Sequence, residues 1–486
     1  MYHTLQIQVK QSNPLYAYLE RTSHLANNLY NAGLFRCRQL ITASKKEQKD
    51  LTENEKKVIK EFSTAFPDMK YSFGYASLDR VMRANHNPDF FAEGLSKQTA
   101  QHVLKQVARD VKGFFASLNA YKQNPSVFMG KPNIPGYHRK GGLSTITFTN
   151  QDCVLYSGDD TSYMKFPGTK ERLNVGKCPV DGRLKEVKAK PYHNIFIVYL
   201  TFDDGKPEPV MKEHPERICA IDFGVENLAA ISNNVGLPCL LFKGGVLKSQ
   251  NQWYNKRMAN IASKQIIGTT DKFQPTTESQ VVCLKRENQV VDFSRKLCKR
   301  IVDWCVQNNI DTIVVGNNPG WKQNSDMGKK SNQEFVQLPF GRIIQMLELK
   351  ALQNGIRVMK QEESYTSKAS YLDNDPIPVC GENDNDAVFS GKRRPYKYKG
   401  VSQKDGYRGR YTAKDGSVIN SDLNGSANIG RKALPELFTG VVDFSSVTVI
   451  KHPDYDFRKE NQKKQKANAK PSKSKARRLA AKALKK

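Results

Sequence analysis

Residues 217–234 read RICAIDFGVENLAAISNN and contain two apolar runs joined by a short turn. The first run predicts a strand over 217–221 that leads into Asp222, and the second predicts a return strand over 227–232. Further along, TIVVG at 312–316 has the length and β-branched content of a buried strand. These segments indicate a sheet whose first strand ends in an acidic residue.

Helical and extended segments alternate after these strands. The patterns at 249–265 and 282–308 predict helices, a further helix is expected at 340–353, and IRVMK at 356–360 predicts the next strand. Such alternation is typical of an α/β sheet with helices packed on it. We expect the strand at 356–360 to end beside the strand that carries Asp222.

The N-terminal part of the chain has a different pattern. Residues 2–9 alternate like a strand, 14–125 are mostly helical with 97–120 as the clearest helix, and short β-like runs fill 144–202. The strand at 2–9 is expected to pair with the later β segment, which makes the helical region an insertion. A Pro-rich linker at 205–216 follows, so the expected fold class is multidomain α+β.

The charge of the chain points to a polyanionic partner. The 486 residues include 77 Lys and Arg against 48 Asp and Glu, a formal net charge of +29. Nucleic acid is the expected partner, because binding phosphates releases counterions. No apolar run is long enough to span a bilayer, no secretory signal is present and no basic amphipathic anchor dominates, so we expect no membrane association. The nine cysteines form no CxxC pair, which favours a reducing compartment.

Two segments concentrate the positive charge. Residues 390–414 interleave basic and aromatic side chains, which suits single-stranded nucleic acid, although a solvated loop has the same composition. The tail at 451–486 is rich in Lys and is expected to add nonspecific affinity. In the first segment, the candidate nucleic-acid-binding residues are Lys392, Arg393, Arg394, Tyr396, Tyr398, Arg408 and Arg410.

Three carboxylates stand where metal ligands could converge. Asp222 ends an apolar strand, Glu363 follows the strand at 356–360, and Asp422 lies in INSDLNGSANIGRKAL, where a turn leads into a helix. Phosphodiester hydrolysis by two divalent ions needs acidic ligands from different elements, and Mg²⁺ prefers carboxylate oxygens. Each acid taken alone is more simply explained as a solvated carboxylate or a helix cap.

Seven phrases, in this order, carry a family resemblance. They are KPNIPGYHRK (131–140), ITFTNQ (146–151), AIDFGVENLAA (220–230), TIVVGNNPGWKQ (312–323), SNQEFVQLPF (331–340), EESYTSKASYLDND (362–375) and SDLNGSANIGRKAL (421–434). The chain resembles the TnpB transposon-encoded RNA-guided nucleases and their relatives, the compact type V CRISPR effectors. The resemblance extends over nearly the whole chain.

The resemblance implies a domain layout. In chain order, the implied domains are a β-barrel wedge domain at 1–12 and 126–208, a helical recognition domain inserted at 13–125, a RuvC nuclease domain of ribonuclease H type at 213–364 and 416–440, a nucleic-acid-binding insertion at 365–415, and a basic tail at 441–486.

The resemblance also implies catalytic and metal-binding residues, with two Mg²⁺ ions as the cofactor. Asp222 matches the first catalytic aspartate of the family and Asp422 matches the last. In many relatives the middle acid is a Glu at the end of the strand that here ends in Gly316, which offers no ligand. Closer relatives carry this acid just before the TSK motif, where this chain has Glu363, with Glu362 as the second choice.

A zinc site is not expected, in contrast to many relatives. Those relatives place two CxxC pairs between the TS motif and the last aspartate, where this chain has only Cys380. Ser370 and Asp373 stand near the positions of the expected cysteines. We therefore predict no zinc, and the insertion must fold by other means or upon nucleic acid.

The function that the resemblance implies is RNA-guided, Mg²⁺-dependent DNA endonuclease activity, with a guide RNA and target double-stranded DNA as partners. An RNA-guided DNA-binding protein with an inactive nuclease site is one alternative, motivated by Gly316. A metal-dependent DNA transposase is another, and a nonspecific RNA-binding protein would leave the three acids unexplained. We expect a monomer in the cytoplasm, at the nucleoid of a prokaryote, or in the nucleus of a eukaryote.

Overall fold

The chain divides into two units in this computed structural model. Unit 1 comprises residues 1–207 with 275–281, and unit 2 comprises 208–274 with 282–486. Both units mix helices and strands, so the predicted α+β class is confirmed. No helix in the described part of the chain combines the length and apolar composition that crossing a bilayer requires. The structure describes residues 1–67, 72–158, 160–177, 182–266, 272–318, 333, 335–381, 387–393, 397–398, 401–402 and 409–452.

The strands of unit 1 form two antiparallel sheets. They are β1 (Tyr2–Val9), β2 (Ile146–Thr149), β3 (Val154–Tyr156), β4 (Ser162–Lys165), β5 (Arg172–Gly176), β6 (Arg183–Tyr192) and β7 (Ile195–Asp203). The sheet orders are β1-β7-β6-β2 and β3-β4-β5. β1 pairs with β7 along its whole length, which confirms that the first strand joins the later β segment. The implied wedge barrel remains a prediction.

The helices of unit 1 lie between β1 and β2 in sequence. They are α1 (Leu15–Ala43), α2 (Glu53–Ala65), α3 (Tyr75–Ala84) and α4 (Lys97–Gln123). Ser96 caps α4 by accepting a hydrogen bond from the backbone N–H of Thr99 at 3.0 Å. The apolar face of α4, which includes Leu104, Val107 and Val111, shares one core with α1. The helix predicted at 97–120 is confirmed, with a slightly later end.

The main sheet of unit 2 mixes antiparallel and parallel strands. The strands of this unit are β8 (Ile218–Asp222), β9 (Asn227–Asn233), β10 (Cys239–Lys243), β11 (Thr312–Gly316), β12 (Arg357–Gln361), β13 (Lys392–Arg393), β14 (Lys397–Tyr398), β15 (Val401–Ser402), β16 (Arg410–Thr412), β17 (Val418–Asn420) and β18 (Val447–Ile450). The main sheet has the order β12-β11-β8-β9-β10-β18. β8, β9 and β10 are antiparallel neighbours, whereas β11 and β12 run parallel to β8. The strands predicted for this sheet are confirmed.

One strand lies elsewhere than the sequence analysis predicted. β12 pairs with β11 and not with β8, so β11 separates the strand before Glu363 from the strand that carries Asp222. The expectation that β12 ends beside β8 is therefore wrong. The physical reason is composition: β11 (TIVVG) has no charged side chain and can be fully buried, whereas β12 carries Arg357 and Lys360 and forms the half-buried sheet edge.

Helices cover both faces of the main sheet. They are α5 (Gly245–Ile266), α6 (Thr277–Gln307), α7 (Phe340–Leu352), α8 (Ser421–Ala433) and the short α9 (Pro435–Phe438). Cys219 and Ile221 of β8 pack with residues of α6 and α7, whereas Ile218 and Ala220 pack with α8 and α9. Because side chains alternate along a strand, Asp222 lies on the face that α8 covers.

Candidate active site

Helix α8 is held close against β8 and β9 by small and polar side chains. Ser426 Oγ lies 3.1 Å from the carbonyl oxygen of Ala220 and accepts a hydrogen bond from the N–H of Ser232 at 2.9 Å. A Cβ atom on Gly425 would lie 2.7 Å from Oδ2 of Asp222. A larger residue than glycine would therefore displace the Asp222 carboxylate.

Asp422 lies in the first turn of α8. Asn420 caps this helix, and its Oδ1 accepts hydrogen bonds from the N–H groups of Asp422 at 3.0 Å and Leu423 at 3.1 Å. Oδ2 of Asp422 accepts from Nδ2 of Asn227 at 2.7 Å, and Oδ1 lies 2.8 Å from Nη2 of Arg393. Both oxygens of this carboxylate are thus engaged.

The Glu363 side chain lies over the end of β11. A Cβ atom on Gly316 would overlap Oε2 of Glu363 and would lie 2.7 Å from Cδ1 of Ile429. The backbone of Glu363 is fixed as well, because its N–H donates to Oδ1 of Asn318 at 3.1 Å and its carbonyl accepts from Oγ1 of Thr366 at 2.8 Å. Glu363 therefore occupies the space that a side chain at the end of β11 would fill.

Glu362, the second choice from the sequence, is engaged elsewhere. Its Oε2 lies 2.6 Å from the ammonium of Lys432, and its Oε1 accepts from the N–H of Ser364 at 2.7 Å. Burial opposes ionisation, but the hydrogen bonds from Lys432 and Ser364 outweigh it and hold the pKa of Glu362 below its ordinary value. Of the two glutamates, Glu363 is the one beside Gly316.

Two acids of the site, Asp222 and Glu363, have raised pKa values. Burial raises the pKa of Asp222 well above its ordinary value, Asp422 and Glu363 add to the rise, and Arg393 opposes it. Burial likewise raises the pKa of Glu363 to about 7, with a further contribution from Glu362. Shifts of this origin mean that the ionised carboxylates lack full compensation by positive charge. A bound cation would supply that compensation.

The donor chemistry of the three acids fits a hard divalent cation. Carboxylate oxygens are the donors that Mg²⁺ prefers. Within the described ranges, no three His, Cys, Asp or Glu side chains form a ready-made ligand cluster. A cation bound by Oδ1 of Asp422 would replace Arg393, whose Nη2 lies 2.8 Å from that oxygen.

The predicted nucleic-acid-binding residues fall into two groups. Lys392, Arg393 and Arg410 lie on a small sheet of order β13-β16-β17, and β17 leads directly into α8. Lys392 and Arg410 are exposed, whereas Arg393 contacts Asp422. Arg394, Tyr396 and Arg408 lie outside the described residues, and Tyr398 is described as part of the strand β14.

Carboxylates tie together the segments of the insertion. Oδ2 of Asp373 accepts hydrogen bonds from Oγ of Ser370 at 2.6 Å and from the N–H of Lys414 at 3.0 Å. The buried Asp375 accepts from the N–H groups of Ser370 at 2.7 Å and Ser390 at 3.0 Å. Ser370 and Asp373, the positions near the cysteines expected of relatives, thus belong to one hydrogen-bond cluster.

Asn227 is a residue of the site that the sequence analysis did not select. It is buried at the first position of β9 and contacts both Asp422 and Lys243. A signal was present, because Asn227 is the polar residue that opens the apolar run NLAAI. The identity of its partner could not be read from that signal, since Asp422 lies 195 residues away in sequence.

A second candidate surface lies in unit 1, where residues 131–144 form a loop fixed onto α1. Asn31 accepts from the N–H of His138 at 2.8 Å and donates to its carbonyl at 3.0 Å. Nδ2 of Asn27 donates to the carbonyl of Arg139 at 3.0 Å. We call this segment the α1 loop. Its backbone is held in one conformation by side chains of the helix.

The α1 loop exposes a ring and two cations. The side chains of Arg139 and Lys140 are exposed, and Tyr137 is 48% exposed with the guanidinium of Arg38 5.1 Å from its ring centre. Basic groups beside an exposed ring suit a nucleic-acid strand. The phrase KPNIPGYHRK thus forms a fixed, positively charged edge.

Two family models match parts of the chain. Residues 203–322 match the model OrfB_IS605, described as a probable transposase, and residues 340–429 match the Cas12f1-like TNB domain. The first match includes Asp222, and the second includes Glu363 and Asp422. Over these residues the chain is similar to TnpB-like proteins and to their relatives among the type V CRISPR effectors.

Among curated proteins, the chain is similar to the TnpB-like protein ORF457 of Acidianus two-tailed virus, with 23% identity over 261 residues. The match covers 53% of this chain and 49% of the viral protein, so the chain matches about half the length of this relative. The similarity concerns the amino-acid sequence, and the name of the viral protein states no activity.

The chain has low sequence identity and low TM-scores to solved structures. A Cas12f1–sgRNA–target DNA complex has 14% identity and a TM-score of 0.32, covering 89% of this chain and 100% of that chain. The mini-RNA-guided endonuclease CRISPR-Cas_phi3 has 9% identity and a TM-score of 0.39, covering 92% and 93%.

Proposed function

We propose that the TnpB-like chain is an RNA-guided DNA endonuclease that cuts target DNA by metal-assisted phosphodiester hydrolysis in a RuvC domain at 213–364 and 416–440. The observation that supports this most directly is the juxtaposition of Asp222, Glu363 and Asp422. The Asp222 carboxylate lies against Gly425, which follows Asp422 by one turn of α8. Asp422 and Glu363 both contribute to the raised pKa of Asp222.

In the proposed reaction, the three acids hold two Mg²⁺ ions. When bound, the ions supply a nucleophilic water and stabilise the developing charge on the phosphate. Asp222 and Asp422 present donors from β8 and α8, whose backbones are held together through Ser426. Glu363 reaches the same space over Gly316. Burial of these side chains lowers the local dielectric and strengthens their attraction for cations.

The proposed partners are a guide RNA and target double-stranded DNA. The net charge of +29 supports polyanion binding, and in such systems base pairing reads the sequence while the protein holds duplex backbones. We assign that holding role to a wedge domain at 1–12 and 126–208 and a recognition domain at 13–125. The insertion at 365–415 and the tail at 441–486 would hold single strands.

The proposed assembly is a monomer that acts where its DNA lies. In a prokaryote this place is the nucleoid, and in a eukaryote it is the nucleus. The exposed Lys392 and Arg410 support the assignment of the insertion to single-stranded DNA, since both lie on the sheet that leads into α8.

A metal-dependent DNA transposase is the alternative class, because one matching family model is described as a probable transposase. It predicts strand joining that needs no RNA. An RNA-guided DNA-binding protein with an inactive site predicts tight binding without cutting.

The test is Mg²⁺-dependent cleavage of a matched DNA duplex by the protein loaded with the RNA that copurifies from cells carrying its flanking DNA. We expect the wild type to cut only with RNA and Mg²⁺, and Glu363→Ala to abolish cutting. Glu362→Ala is the matched control and should retain most activity, because Glu362 pairs with Lys432. Equal cutting by all three proteins would remove Glu363 from the site, and RNA-independent strand joining would favour the transposase.

A further inference from the structure

We propose that Asn227 is a positioning residue of the metal site, which holds one oxygen of Asp422 so that the other oxygen meets the cation. The inference rests on the proposed function, because it concerns the same carboxylates. Asn227 is 4% exposed, and its side chain lies between the charged groups of Lys243 and Asp422.

The orientation of the Asn227 amide follows from its neighbours. Nζ of Lys243 lies 2.7 Å from Oδ1 of Asn227, and an ammonium group only donates hydrogen bonds. The amide nitrogen must then face Asp422, where Nδ2 donates to Oδ2 at 2.7 Å. Lys243, Asn227 and Asp422 therefore form one directed chain of hydrogen bonds, in which the amide cannot flip without placing two donors in contact.

The backbone around Asn227 is fixed by the strands that flank it. Asn227 opens β9, and its carbonyl accepts from the N–H of Gly224 at 3.1 Å. Lys243 stands opposite Asn227 in the β9–β10 pair, at the end of β10. The β8–β9 hairpin thus carries one proposed ligand, Asp222, and the support of another, Asp422.

Binding of Oδ2 by Asn227 distinguishes the two oxygens of Asp422. Oδ1 is the oxygen that meets positive charge, since Nη2 of Arg393 lies 2.8 Å from it. A hydrogen bond that orients a metal ligand reduces the freedom that the ligand loses on binding, and mutation of such a partner typically costs about 10- to 100-fold in metal affinity. Asn227 is placed to have this effect on Asp422.

The test titrates Mn²⁺ into the full-length protein, follows the bound ion by electron paramagnetic resonance, and records thermal unfolding of the same samples. We expect Asn227→Ala to weaken Mn²⁺ binding about 10- to 100-fold. Lys243→Met, which removes the group that orients the amide, should give a smaller loss. Asn227→Asp keeps the size of the side chain but replaces the hydrogen-bond donor with a negative charge beside the Asp422 carboxylate. Its loss of Mn²⁺ affinity should therefore be at least as large as that of Asn227→Ala.

Asn233→Ala is the matched control. Asn233 is also buried and lies at the other end of β9, where its Oδ1 accepts from the N–H groups of Val235 and Leu237. Asn233→Ala should lower the Tm of the protein without changing its affinity for Mn²⁺. Unchanged Mn²⁺ binding by Asn227→Ala, or an equal loss in Asn233→Ala, would overturn the inference.

Failure of the proposed function gives a different result. If wild type binds Mn²⁺ at a site that Asp222→Asn removes, but does not cut RNA-matched DNA, the endonuclease proposal fails and the Mn²⁺ affinities still decide the role of Asn227. A wild-type protein that binds no Mn²⁺ contradicts both.

Discussion

Glu362 and Glu363 are adjacent in sequence but lie in opposite electrostatic surroundings. Lys432 and Ser364 hold the pKa of Glu362 below its ordinary value, whereas burial raises the pKa of Glu363 to about 7. A depressed pKa adds stability above the unfolded-state pKa, and this stability is lost as pH falls through the folded-state pKa. A raised acid pKa works in reverse, so stability falls as pH rises from the unfolded-state value toward 7.

We therefore expect two conservative changes to shift the Tm of the metal-free protein in opposite directions above pH 7. Glu363→Gln removes a charge that destabilises the fold and should raise the Tm, whereas Glu362→Gln removes the ion pair with Lys432 and should lower it. Thermal unfolding in chelator across the acid-to-neutral range measures both shifts. A lower Tm for Glu363→Gln at neutral pH would contradict the electrostatic account.

Gly316→Ala tests the space that Glu363 occupies. The added Cβ would overlap the Glu363 carboxylate and crowd Ile429. Displacement of a reacting group by about 1 Å can cost about 100-fold in rate, so we expect a loss of cleavage of that order. Gly341→Ala in α7 is the control, because a Cβ there meets nothing within 4 Å. Equal cleavage rates for both variants would show that the site tolerates a displaced Glu363.

The α1 loop presents its cations on a fixed backbone, which gives a prediction for one element. Arg139→Gln with Lys140→Gln should weaken nucleic-acid binding and reduce the slope of log affinity against log salt by about 0.9 for each lost contact with a duplex phosphate. Lys49→Gln with Lys56→Gln is the control, since these lysines pair with nearby glutamates. Salt-dependent filter binding measures the slopes, and identical slopes for the two double variants would remove the loop from the interface.

The insertion depends on Asp375 for two of its backbone hydrogen bonds. Asp375→Ala leaves the N–H of the buried Ser370 without this acceptor, and a buried unsatisfied group costs about 1–3 kcal/mol, whereas the N–H of the exposed Ser390 can bond to water instead. Asp415→Ala, at an exposed turn with Ser417, should cost far less. Denaturant unfolding compares the stabilities of the two variants.

A zinc chelator should leave the stability of the wild type unchanged, and a chelator-induced loss of stability would contradict the prediction of a zinc-free insertion.

The order of the strands in the main sheet could not be predicted from the sequence. The apolar runs of β8, β9 and β11 predict buried strands because each run is continuous, and the bounds agree closely. The order depends on competition among strands for the interior of the sheet. IRVMK resembles a strand as well as TIVVG does, but its Arg357 and Lys360 make it the poorer interior strand, and it lies at the edge.

At the scale of the whole molecule, we expect nucleic-acid binding and DNA cutting to depend on different residues. The net charge of +29 is spread over the chain, whereas cutting is assigned to three acids. We expect Asp222→Asn to abolish cleavage while guide RNA binding keeps its wild-type salt dependence, with a loss of about 10³ to 10⁵ in affinity between about 50 and about 200 mM salt. Filter binding over this range measures it. A collapse of RNA binding in Asp222→Asn would mean that the acids support the fold of the binding surface.

The sequence discloses the acids of the site more readily than their partners. Asp222 and Asp422 stand at a strand end and a helix start, which local pattern reveals. The contacts of Asp422 with Asn227 and Arg393 span 195 and 29 residues, and no periodic pattern encodes contacts between separate elements. The choice between Glu362 and Glu363 likewise depends on Lys432, which lies 70 residues from Glu362.

The overlap between Glu363 and any side chain at position 316 has a consequence for how the site evolved. An acid at the end of β11 would compete with Glu363 for one volume, so a chain with both acids would have to move the Glu363 carboxylate from its present position. A lineage that changed from one to the other passed through ancestors with a crowded site or with a missing acid. Living sequences that carry an acid at both positions should therefore be scarce, and a census of homologues would count them.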